Sequence, residues 1–391
     1  MNILFYTNES PYGSLPVGGA ETSLKLLAEC LAARGHNIYF YTDSRESAVF
    51  GYTKKRTNGV VVYTNKRFVV PLLNTYAFKG LTKKIKNKNL RNILAGKKID
   101  LVHTYYSIQA CTKFLRLREH LPFKFVVRIA GMRPFEQVKR RPVFLEAYQR
   151  LFKEADLFNF ISEGLYHMYQ DKGHELGFEL NKDKIFIKDI GVRLSEEKKW
   201  SLHKDAAEFR CTMVSRFTNY AKRQDILVKA ISLLPKEVSV QLTLVGSGPN
   251  VTEINKLIKS LGVELKVSIV KFLPQQQMND LLLQSNLICH ACDHEGLSKI
   301  IIESLGMGIP VLASDVAPLN TYISDGENGF LTENTPEAWA EKIAAIYSEK
   351  SILDKISDEA AAFAKKNYDA GKNVRIYEQE FNTLLNTKSE N

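Results

Sequence analysis

Residues 287–314 read LICHACDHEGLSKIIIESLGMGIPVLAS, and this stretch decides the fold. A short apolar run, Leu287–Cys289, leads into a polar loop, and Ile300–Met307 has the apolar spacing of a helix. A second apolar run, Val311–Ala313, follows a glycine and a proline. Short apolar strands joined by a helix are typical of a parallel sheet covered on both faces. The stretch therefore predicts a strand–helix–strand unit of an α/β domain.

The same alternation runs along the chain in two series. The first contains the candidate strands Ile3–Thr7, Ile38–Thr42, Val60–Tyr63, Leu101–Thr104, Phe125–Ile129, Leu157–Ile161 and Ile185–Ile187. The second contains Cys211–Ser215, Leu242–Val245, Val267–Val270, Leu287–Cys289 and Val311–Ala313. Helical patterns cover Ala20–Arg34, Asp225–Leu234, Val251–Leu261, Gln276–Gln284 and Ile300–Met307. Two series predict two Rossmann-like domains, each with a doubly wound parallel sheet.

A polar stretch separates the two series. It reads RLSEEKKWSLHKDAAE over residues 193–208 and has the composition of a linker. We therefore expect an N-terminal domain over residues 1–190 and a C-terminal domain over residues 191–366.

Composition excludes several classes of protein. The 391 residues are 45% hydrophobic and 25% charged, which argues against a disordered or fibrous chain. No apolar run approaches the roughly 18 residues of a membrane span, and the apolar start is too short for a signal peptide. The five cysteines are sparse and odd in number, which argues against a disulfide framework. These features predict a cytoplasmic protein.

The charge of the chain is unevenly distributed. Residues 51–153 contain 24 basic and 4 acidic residues, a net charge of +20, whereas the whole chain carries +11. Such asymmetry predicts an anionic partner for the N-terminal part: a membrane surface, a nucleic acid or an anionic glycolipid.

Two carboxylates flank a predicted anion site within residues 287–314. Glu295 precedes a glycine after a strand, and Glu303 lies about one turn into the following helix. The amides of Ser298, Lys299 and Ile300 form the helix start, where unpaired N–H groups and the helix dipole favour a phosphate. A nucleotide sugar suits this pattern, because hydroxyls flank its diphosphate and carboxylates accept hydrogen bonds from hydroxyls.

At this point the chain resembles the retaining glycosyltransferases of family 4, which have the GT-B fold. The resemblance rests on the E-x7-E pattern of Glu295 and Glu303 and on further motifs in the family's order. These are Val17–Glu21, Ala32–His36, Asp100–His103, Ile161–Gly164, Val214–Phe217 with Lys222, Leu244–Pro249, Ser314–Asp315 and Asp325–Phe330.

The resemblance implies roles for individual residues. Glu303 would hold the donor ribose and Glu295 the donor sugar, while Arg216 and Lys222 would neutralise the diphosphate as the glycosidic bond breaks. The remaining implied donor contacts are Gly18 and Gly19 near the diphosphate, backbone at Phe272 and Leu273 near the base, and the loop residues Gly296, Leu297, Ser298, Lys299 and Ile300.

The resemblance also implies the overall reaction. The donor would be a UDP-, GDP- or ADP-sugar bound in a cleft at the carboxyl ends of both sheets, without a metal or other cofactor. The N-terminal domain would hold the acceptor, and a last helix over residues 370–385 would return to that domain. Transfer would retain the anomeric configuration.

The chain departs from the family pattern at two places. Ala130 stands where members usually have a histidine that points at the donor sugar, and His103 or Arg128 are the candidates to replace it or to contact the acceptor. His103 also fits an ordinary buried histidine. In addition, Lys222 follows Arg216 by six residues where five is common, and Arg223 replaces the usual next glycine. Donor-sugar identity therefore stays open.

Two other motifs are weaker. Cys289, His290, Cys292, Asp293 and His294 resemble a metal site, but structural zinc needs a second ligand pair, which the sequence lacks. We expect a buried strand there and no metal. Gly246-Ser-Gly248 lacks the third glycine of a dinucleotide fingerprint, because Val251 stands in its place.

The densest basic cluster is Lys79–Lys98, which reads KGLTKKIKNKNLRNILAGKK. Phe78, Leu81 and Ile85 would share one face of a helix, whereas Leu90 would not. Basic interfacial helices bind anionic lipid. We therefore expect a peripheral position on the inner face of the cytoplasmic membrane and a lipid-linked or lipopolysaccharide-type acceptor.

Two other functions stay open at this point. A nucleic-acid-binding α/β protein would explain the charge but not the pattern around Glu295. No zinc-finger, RNA-recognition or basic-zipper signature is present. A nucleotide-sugar epimerase of the GT-B shape would need acid and base residues near the anomeric carbon, and no such set is visible.

Overall fold

The structure, a computed structural model, describes residues 1–13, 17–47, 52–67, 87–177, 179–194, 200–202, 208–218, 221–271 and 273–387. The chain divides into two compact units. The N-terminal unit contains Met1–Ile190 and Ala370–Asn391, and the C-terminal unit contains Gly191–Asp369. The chain thus enters the second unit at residue 191 and returns to the first at residue 370.

The N-terminal unit is built on an eight-stranded sheet with the order β3-β4-β2-β1-β5-β6-β7-β8. Its strands are β1 Asn2–Thr7, β2 Asn37–Ser47, β3 Tyr52–Thr57, β4 Val60–Arg67, β5 Leu101–Tyr105, β6 Lys124–Ile129, β7 Leu157–Phe160 and β8 Ile185–Ile187. Every pair is parallel except β3 with β4. The carboxyl ends of seven strands therefore share one edge.

The C-terminal unit is built on a six-stranded, fully parallel sheet with the order β11-β10-β9-β12-β13-β14. Its strands are β9 Phe209–Val214, β10 Val240–Val245, β11 Val267–Val270, β12 Leu287–His290, β13 Val311–Ser314 and β14 Phe330–Thr332. The central strands are buried, in keeping with a sheet that helices cover.

Helices connect the strands in both units. They are α1 Gly19–Ala33, α2 over residues 87–96, α3 Ile108–Arg118, α4 Arg133–Arg140, α5 Leu145–Glu154, α6 Glu163–Glu175, α7 Gln224–Leu233, α8 Val251–Ser260, α9 Gln275–Leu283, α10 Lys299–Gly306, α11 Pro336–Ser348, α12 Ile352–Asn367 and α13 Ala370–Asn386. Helices α1–α6 lie in the N-terminal unit, and helices α7–α12 lie in the C-terminal unit. The last, α13, belongs to the N-terminal unit.

The predicted strands and helices are confirmed, and the structure adds β3 and β14. Strand β3 carries three consecutive basic residues, Lys54–Arg56, so it shows no apolar alternation. It lies at the sheet edge, where charges prevent further strand pairing. Its pairing with β4 uses Asn58 and Gly59, which both have positive φ (47° and 78°). An Asn-Gly pair is a strong hairpin signal that the sequence does contain.

A buried polar network attaches α13 to the N-terminal sheet. The guanidinium of Arg128 forms an ion pair with Asp189 and donates to Asn159 Oδ1 (3.1 Å) and to the Tyr377 hydroxyl (3.0 Å). The Asn373 amide donates to the carbonyls of Asp189 and Ile190 at 3.1 and 3.3 Å. These contacts hold the start of α13 beside the end of the first chain segment.

The basic cluster Lys79–Lys98 is only partly described. Residues 79–86, together with Phe78, lie outside the described residues, so the predicted apolar face cannot be placed. In α2, Leu90, Ile93 and Leu94 are buried in the unit, while Lys88 and Arg91 are exposed. This described part therefore turns its apolar side inward and its charge outward. No helix among the described residues is long and apolar enough to cross a membrane.

Candidate functional site

A short backbone pairing after β12 brings Lys222 to Glu295. Lys222 forms an isolated antiparallel bridge with Cys292. The Arg223 amide donates to the Ala291 carbonyl, and the Asp293 amide donates to the Ala221 carbonyl, each at 3.0 Å. Residues 221–223, before α7, thus run beside residues 291–293, after β12. The second of these segments leads directly to Glu295.

The side chain of Arg223 closes the same pairing. Its guanidinium contacts Asp293 at 3.0 Å and Asp225 at 2.9 Å. A glycine at this position, usual in the family, would make neither contact. Arg223 therefore stabilises the loop in which Lys222 follows Arg216 by six residues.

The predicted residues Lys222 and Glu295 meet in a cluster with His290. The Lys222 ammonium forms an ion pair with Glu295 Oε2 and lies 3.0 Å from His290 Nε2. His290 Nε2 lies 3.2 Å from the same carboxylate oxygen. The other oxygen, Oε1, accepts from the Gly296 amide at 3.1 Å. Both carboxylate oxygens of Glu295 therefore have donors.

The ring of His290 is buried beside two charged groups. Its Nδ1 atom has no hydrogen-bond partner among the described residues. Its Nε2 atom lies within hydrogen-bond distance of the Lys222 ammonium, which can only donate, and of the ionised Glu295 carboxylate, which can only accept. Burial, and then the charge of Lys222, hold the pKa of His290 below its usual value. The imidazole is therefore neutral at physiological pH.

The same contacts keep Glu295 ionised. Burial alone would raise its pKa, but the His290 hydrogen bond and the Lys222 charge outweigh burial and hold the pKa below the usual range. The Lys222 ammonium donates one of its three N–H groups to Glu295 and lies within hydrogen-bond distance of His290. At least one further N–H group can bind a ligand anion.

Arg216 lies on a loop that is fixed from two sides. The buried Gln224 amide donates to Ser215 Oγ (2.9 Å) and to the Arg216 carbonyl (3.0 Å). On the other side, the Phe217 amide donates to the Ser247 carbonyl at 3.1 Å. The Arg216 guanidinium is exposed and has no hydrogen-bond partner among the described residues. Its backbone is thus held while its charge remains available to a ligand.

Two glycines explain the Gly246-Ser-Gly248 motif. Gly246 and Gly248 have φ of 149° and 155°, and a Cβ on them would lie 1.9 Å from the Ser215 carbonyl oxygen and 2.1 Å from the Phe217 carbonyl oxygen. The motif therefore packs the loop after β10 against the loop that carries Arg216.

We expect Gly248→Ala to lower the free energy of unfolding by about 2 kcal/mol or more, because the new Cβ would collide with backbone. Gly262→Ala is the matched control, because Gly262 also has positive φ (65°) but no atom within 4 Å of its Cβ position. Urea unfolding followed by tryptophan fluorescence measures both, since Trp200 and Trp339 lie in this unit. Equal losses in the two variants would contradict the close packing.

Helix α10 begins where the anion site is predicted. Ser298 is its buried N-cap, and the Ser298 amide donates to the Tyr322 hydroxyl at 3.3 Å. The ammonium of Lys299 donates to the Gly191 carbonyl at 3.2 Å. The first amides of a helix have no acceptor within it, so the start of α10 presents N–H groups at Lys299 and Ile300.

Glu303 lies one turn into α10 and is half-buried. Burial raises the pKa of its carboxyl above the usual value, and the charge of Lys299 offsets part of that rise. No described residue donates a hydrogen bond to this carboxylate. Hydroxyl donors from a ligand would supply the stabilisation that the protein itself does not provide.

The other predicted donor contacts lie in both units. Leu273 is half-buried before α9, and Phe272 lies outside the described residues. Gly296 and Leu297 are half-buried in the loop before α10. In the N-terminal unit, Gly18 is the N-cap of α1, with its carbonyl accepting from the Thr22 amide at 3.2 Å, and Gly19 is the first residue of that helix.

Burial contradicts the predicted sugar or acceptor contacts of His103 and Arg128. His103 is fully buried in β5 and packs on Phe5 and Phe381, at 5.4 and 5.6 Å between ring centroids. Arg128 is 1% exposed and is committed to the network around Asp189. Burial, and then the charge of Arg128, lower the pKa of His103. Neither side chain therefore replaces the histidine that family members usually have at the position of Ala130.

The Cys/His run divides between core and surface. Cys289 and Cys292 are fully buried, and His294 is exposed. The thiol of Cys289 interacts with that of Cys211 on the neighbouring strand β9, which together with burial raises its pKa. No group of three or more His, Cys, Asp or Glu side chains in the described ranges is arranged to hold a metal ion.

His290 is the site residue that sequence reasoning missed. It is the last residue of a fully buried strand, and the pattern around it indicates core packing. Its place at the carboxyl end of a parallel strand, five positions before Glu295, is a sequence signal that a core histidine can share.

Comparison with known proteins gives matches over most of the chain. The family model for glycosyl transferases group 1 matches residues 195–366, and the model for glycosyltransferase family 4 matches residues 17–175. A curated relative, N-acetyl-alpha-D-glucosaminyl L-malate synthase of Bacillus anthracis, is 21% identical over 382 residues. The match covers 94% of this chain and 95% of the relative.

Solved structures share the fold. Anabaena Alr3699/HepE in complex with UDP-glucose superposes with a TM-score of 0.72 at 19% identity, covering 97% of this chain and 100% of that one. WaaG, a glycosyltransferase involved in lipopolysaccharide biosynthesis, gives a TM-score of 0.66 at 16% identity, covering 96% and 99%. At these identities the likeness shows the fold.

Proposed function

The chain belongs to the family 4 glycosyltransferases of the GT-B fold, and we propose that it moves a sugar from a nucleotide-sugar donor to a saccharide or lipid-linked acceptor with retention of configuration. The process served would be synthesis of a bacterial cell-surface polysaccharide, lipopolysaccharide or glycolipid. The Lys222, His290 and Glu295 cluster beside the start of α10 is the observation that carries the proposal. The UDP-glucose complex of HepE and the involvement of WaaG in lipopolysaccharide biosynthesis support it.

The donor diphosphate would bind to three kinds of positive group. Arg216 supplies an exposed guanidinium on a fixed loop, Lys222 supplies its ammonium, and α10 supplies amides at its start. Preorganised donors of this kind stabilise charge that develops on a leaving group. These groups would do what a metal ion does elsewhere, and we propose that transfer is metal-independent.

The two glutamates would bind opposite ends of the donor. Glu303 would accept from the ribose hydroxyls, which supply the hydrogen bonds its carboxylate lacks within the protein. Glu295, kept ionised by His290 and Lys222, would accept from the sugar hydroxyls. Backbone near Leu273 would contact the base. The donor would be a UDP-, GDP- or ADP-sugar.

Retention is proposed to follow a front-face route. The bond from the anomeric carbon to the diphosphate oxygen breaks, and the acceptor oxygen forms its bond on the same face. The acceptor proton passes to the departing phosphate oxygen. No protein nucleophile is needed, so Glu295 and Lys222 act by positioning and by charge.

The function is tested by incubating the protein with UDP-, GDP- and ADP-sugars and a bacterial glycolipid extract, with and without a chelator. The proposal expects one donor to transfer its sugar, an α-linked product by NMR from an α-linked donor, and equal rates with chelator. A β-linked product would contradict retention. Nucleic-acid binding without any turnover would favour the nucleic-acid alternative.

We propose that the protein works in the cytoplasm, at the inner face of the membrane, through charge on the N-terminal unit. Co-sedimentation is expected with vesicles that contain anionic lipid, at about 1 kcal/mol per contacting Lys or Arg. Because the described part of α2 turns its apolar residues inward, binding should vanish in about 0.5 M salt. Equal binding to neutral and anionic vesicles would contradict this.

A further inference from the structure

A cavity of about 1290 Å³ lies in the N-terminal unit and includes none of the predicted donor contacts. It is bounded by α2, α3 and α5. Its Lys, Arg and Glu lining residues are Lys88, Arg91, Lys113, Arg116, Glu119 and Arg150. Because it follows one side of α3, we call it the α3 groove. Its volume exceeds that of most small-molecule pockets.

One end of the α3 groove lies at the sheet edge where ligands of parallel sheets bind. Asn8 follows β1 and Ile108 begins α3 after β5, so both lie at carboxyl ends of strands. At the other end lie Glu119 and His120, beyond the last turn of α3. Helix α3 has 11 residues, so the groove extends roughly 16 Å from that edge.

The charge of the groove is strongly positive. Five Lys or Arg residues line it against one acid, Glu119, and that acid is already paired with Arg150 at 3.1 Å. Lys88, Arg91 and Arg116 are exposed and make no ion pair with any described residue. By contrast, Arg118 on the same helix contacts Asp156 at 3.1 Å and points away from the cavity.

Part of the groove lining is apolar. Ile108 and Leu117 are buried and Phe144 is half-buried. The Lys113 ammonium donates to the Tyr6 hydroxyl at 2.9 Å and lies 4.6 Å from the Tyr6 ring centre. Cations above an apolar floor suit a ligand with both sugar-ring or hydrocarbon surface and anionic groups.

We infer that the α3 groove binds a phosphate-bearing part of the acceptor, distal to the hydroxyl that receives the sugar. The inference rests on the proposed function, which requires an acceptor, and adds its chemical class and its place. Phosphate fits because each group carries up to two charges and matches the fork of an arginine. Arg91 and Arg116 are the recognising residues.

Calorimetric titration with inorganic tripolyphosphate tests this, in about 0.15 M salt. Whichever of UDP, GDP and ADP the wild type binds is kept saturating so that the donor site is filled. Arg91→Ala/Arg116→Ala should weaken tripolyphosphate binding by about tenfold or more. The control Lys139→Ala/Lys182→Ala removes two exposed charges of the same unit that do not line the groove, and it should change binding less than about twofold. Equal binding by wild type and the groove variant overturns the inference.

Two further arms separate the sources of failure. Binding of the nucleotide should be the same in all variants. No binding of UDP, GDP or ADP by wild type would contradict the proposed function, whereas nucleotide binding without tripolyphosphate binding would overturn the groove alone. With vesicles of phosphatidylcholine and phosphatidylglycerol, both double variants should lose binding equally. A loss confined to the groove variant, with tripolyphosphate binding kept, would assign these charges to a membrane surface and overturn the inference.

Discussion

Lys222→Met is expected to lower the rate of sugar transfer by about 10²–10³-fold, the effect of removing one preorganised donor to a developing negative charge. Lys222 is placed by backbone pairing with Cys292 and held by Glu295, so its ammonium is fixed before the donor binds. Methionine keeps the unbranched shape and most of the length of the side chain, and it removes the charge and the N–H groups. The loss should therefore appear in turnover more than in folding.

The same variant has a second readout through pH. In the wild type, the folded-state pKa of Glu295 is depressed, so the pair stabilises the fold at neutral pH, and this contribution is lost as the pH falls through the folded-state pKa. Without Lys222 the pKa of Glu295 should rise. The stability difference between wild type and variant should then be largest at neutral pH and shrink on acidification.

Lys229→Met is the control for both readouts, because Lys229 is exposed on α7 in the same unit. It should leave transfer and stability within experimental error of wild type. Undiminished transfer by Lys222→Met, measured with saturating donor, would contradict the role given to this residue.

Asp189→Ala is expected to destabilise the N-terminal unit by about 3–5 kcal/mol, because it leaves the Arg128 charge buried without its partner. The side chains of Arg128 and Asp189 are only 2% and 4% exposed. The loss should free the start of α13, since Arg128 also donates to Tyr377 in that helix. Hydrogen exchange of amides in β6 and β7, followed by mass spectrometry, reports on this unit directly.

A surface pair provides the comparison. Arg150 and Glu154 are 42% and 38% exposed, so Glu154→Ala should cost less than about 1 kcal/mol. Arg128→Met/Asp189→Leu should recover most of the stability that Asp189→Ala loses, because apolar residues of similar volume can replace a buried ion pair. Similar exchange rates in Asp189→Ala and wild type would contradict the structural role of the network.

Much of the fold follows from local pattern. Short apolar runs such as Leu287–Cys289 mark buried parallel strands because both faces of such a strand are covered. Strand β3 escapes this rule, since an edge strand needs no apolar face and here carries Lys54–Arg56. The sequence feature that indicates β3 is the turn at Asn58 and Gly59, and not the pattern of the strand itself.

The site was predictable only in part. Glu295 and Lys222 could be chosen from motifs, and the structure brings them together through the pairing after β12. His290 could not, because only tertiary contact distinguishes a functional histidine at a strand end from a core residue. The expected ligand contact of Arg128 was wrong because its partners are distant in sequence. Asp189 and Tyr377 lie 61 and 249 positions away, beyond any local pattern.

The proposed function depends above all on a nucleotide-sugar site in the C-terminal unit that includes Glu303. Calorimetric titration of UDP, GDP and ADP into wild type, Glu303→Ala and the exposed-acid control Glu341→Ala tests it most directly. We expect wild type and Glu341→Ala to bind one nucleotide equally. Glu303→Ala should bind it about tenfold or more weakly, because hydrogen bonds to a charged group are lost. Binding of no nucleotide, or equal binding by Glu303→Ala, would contradict it.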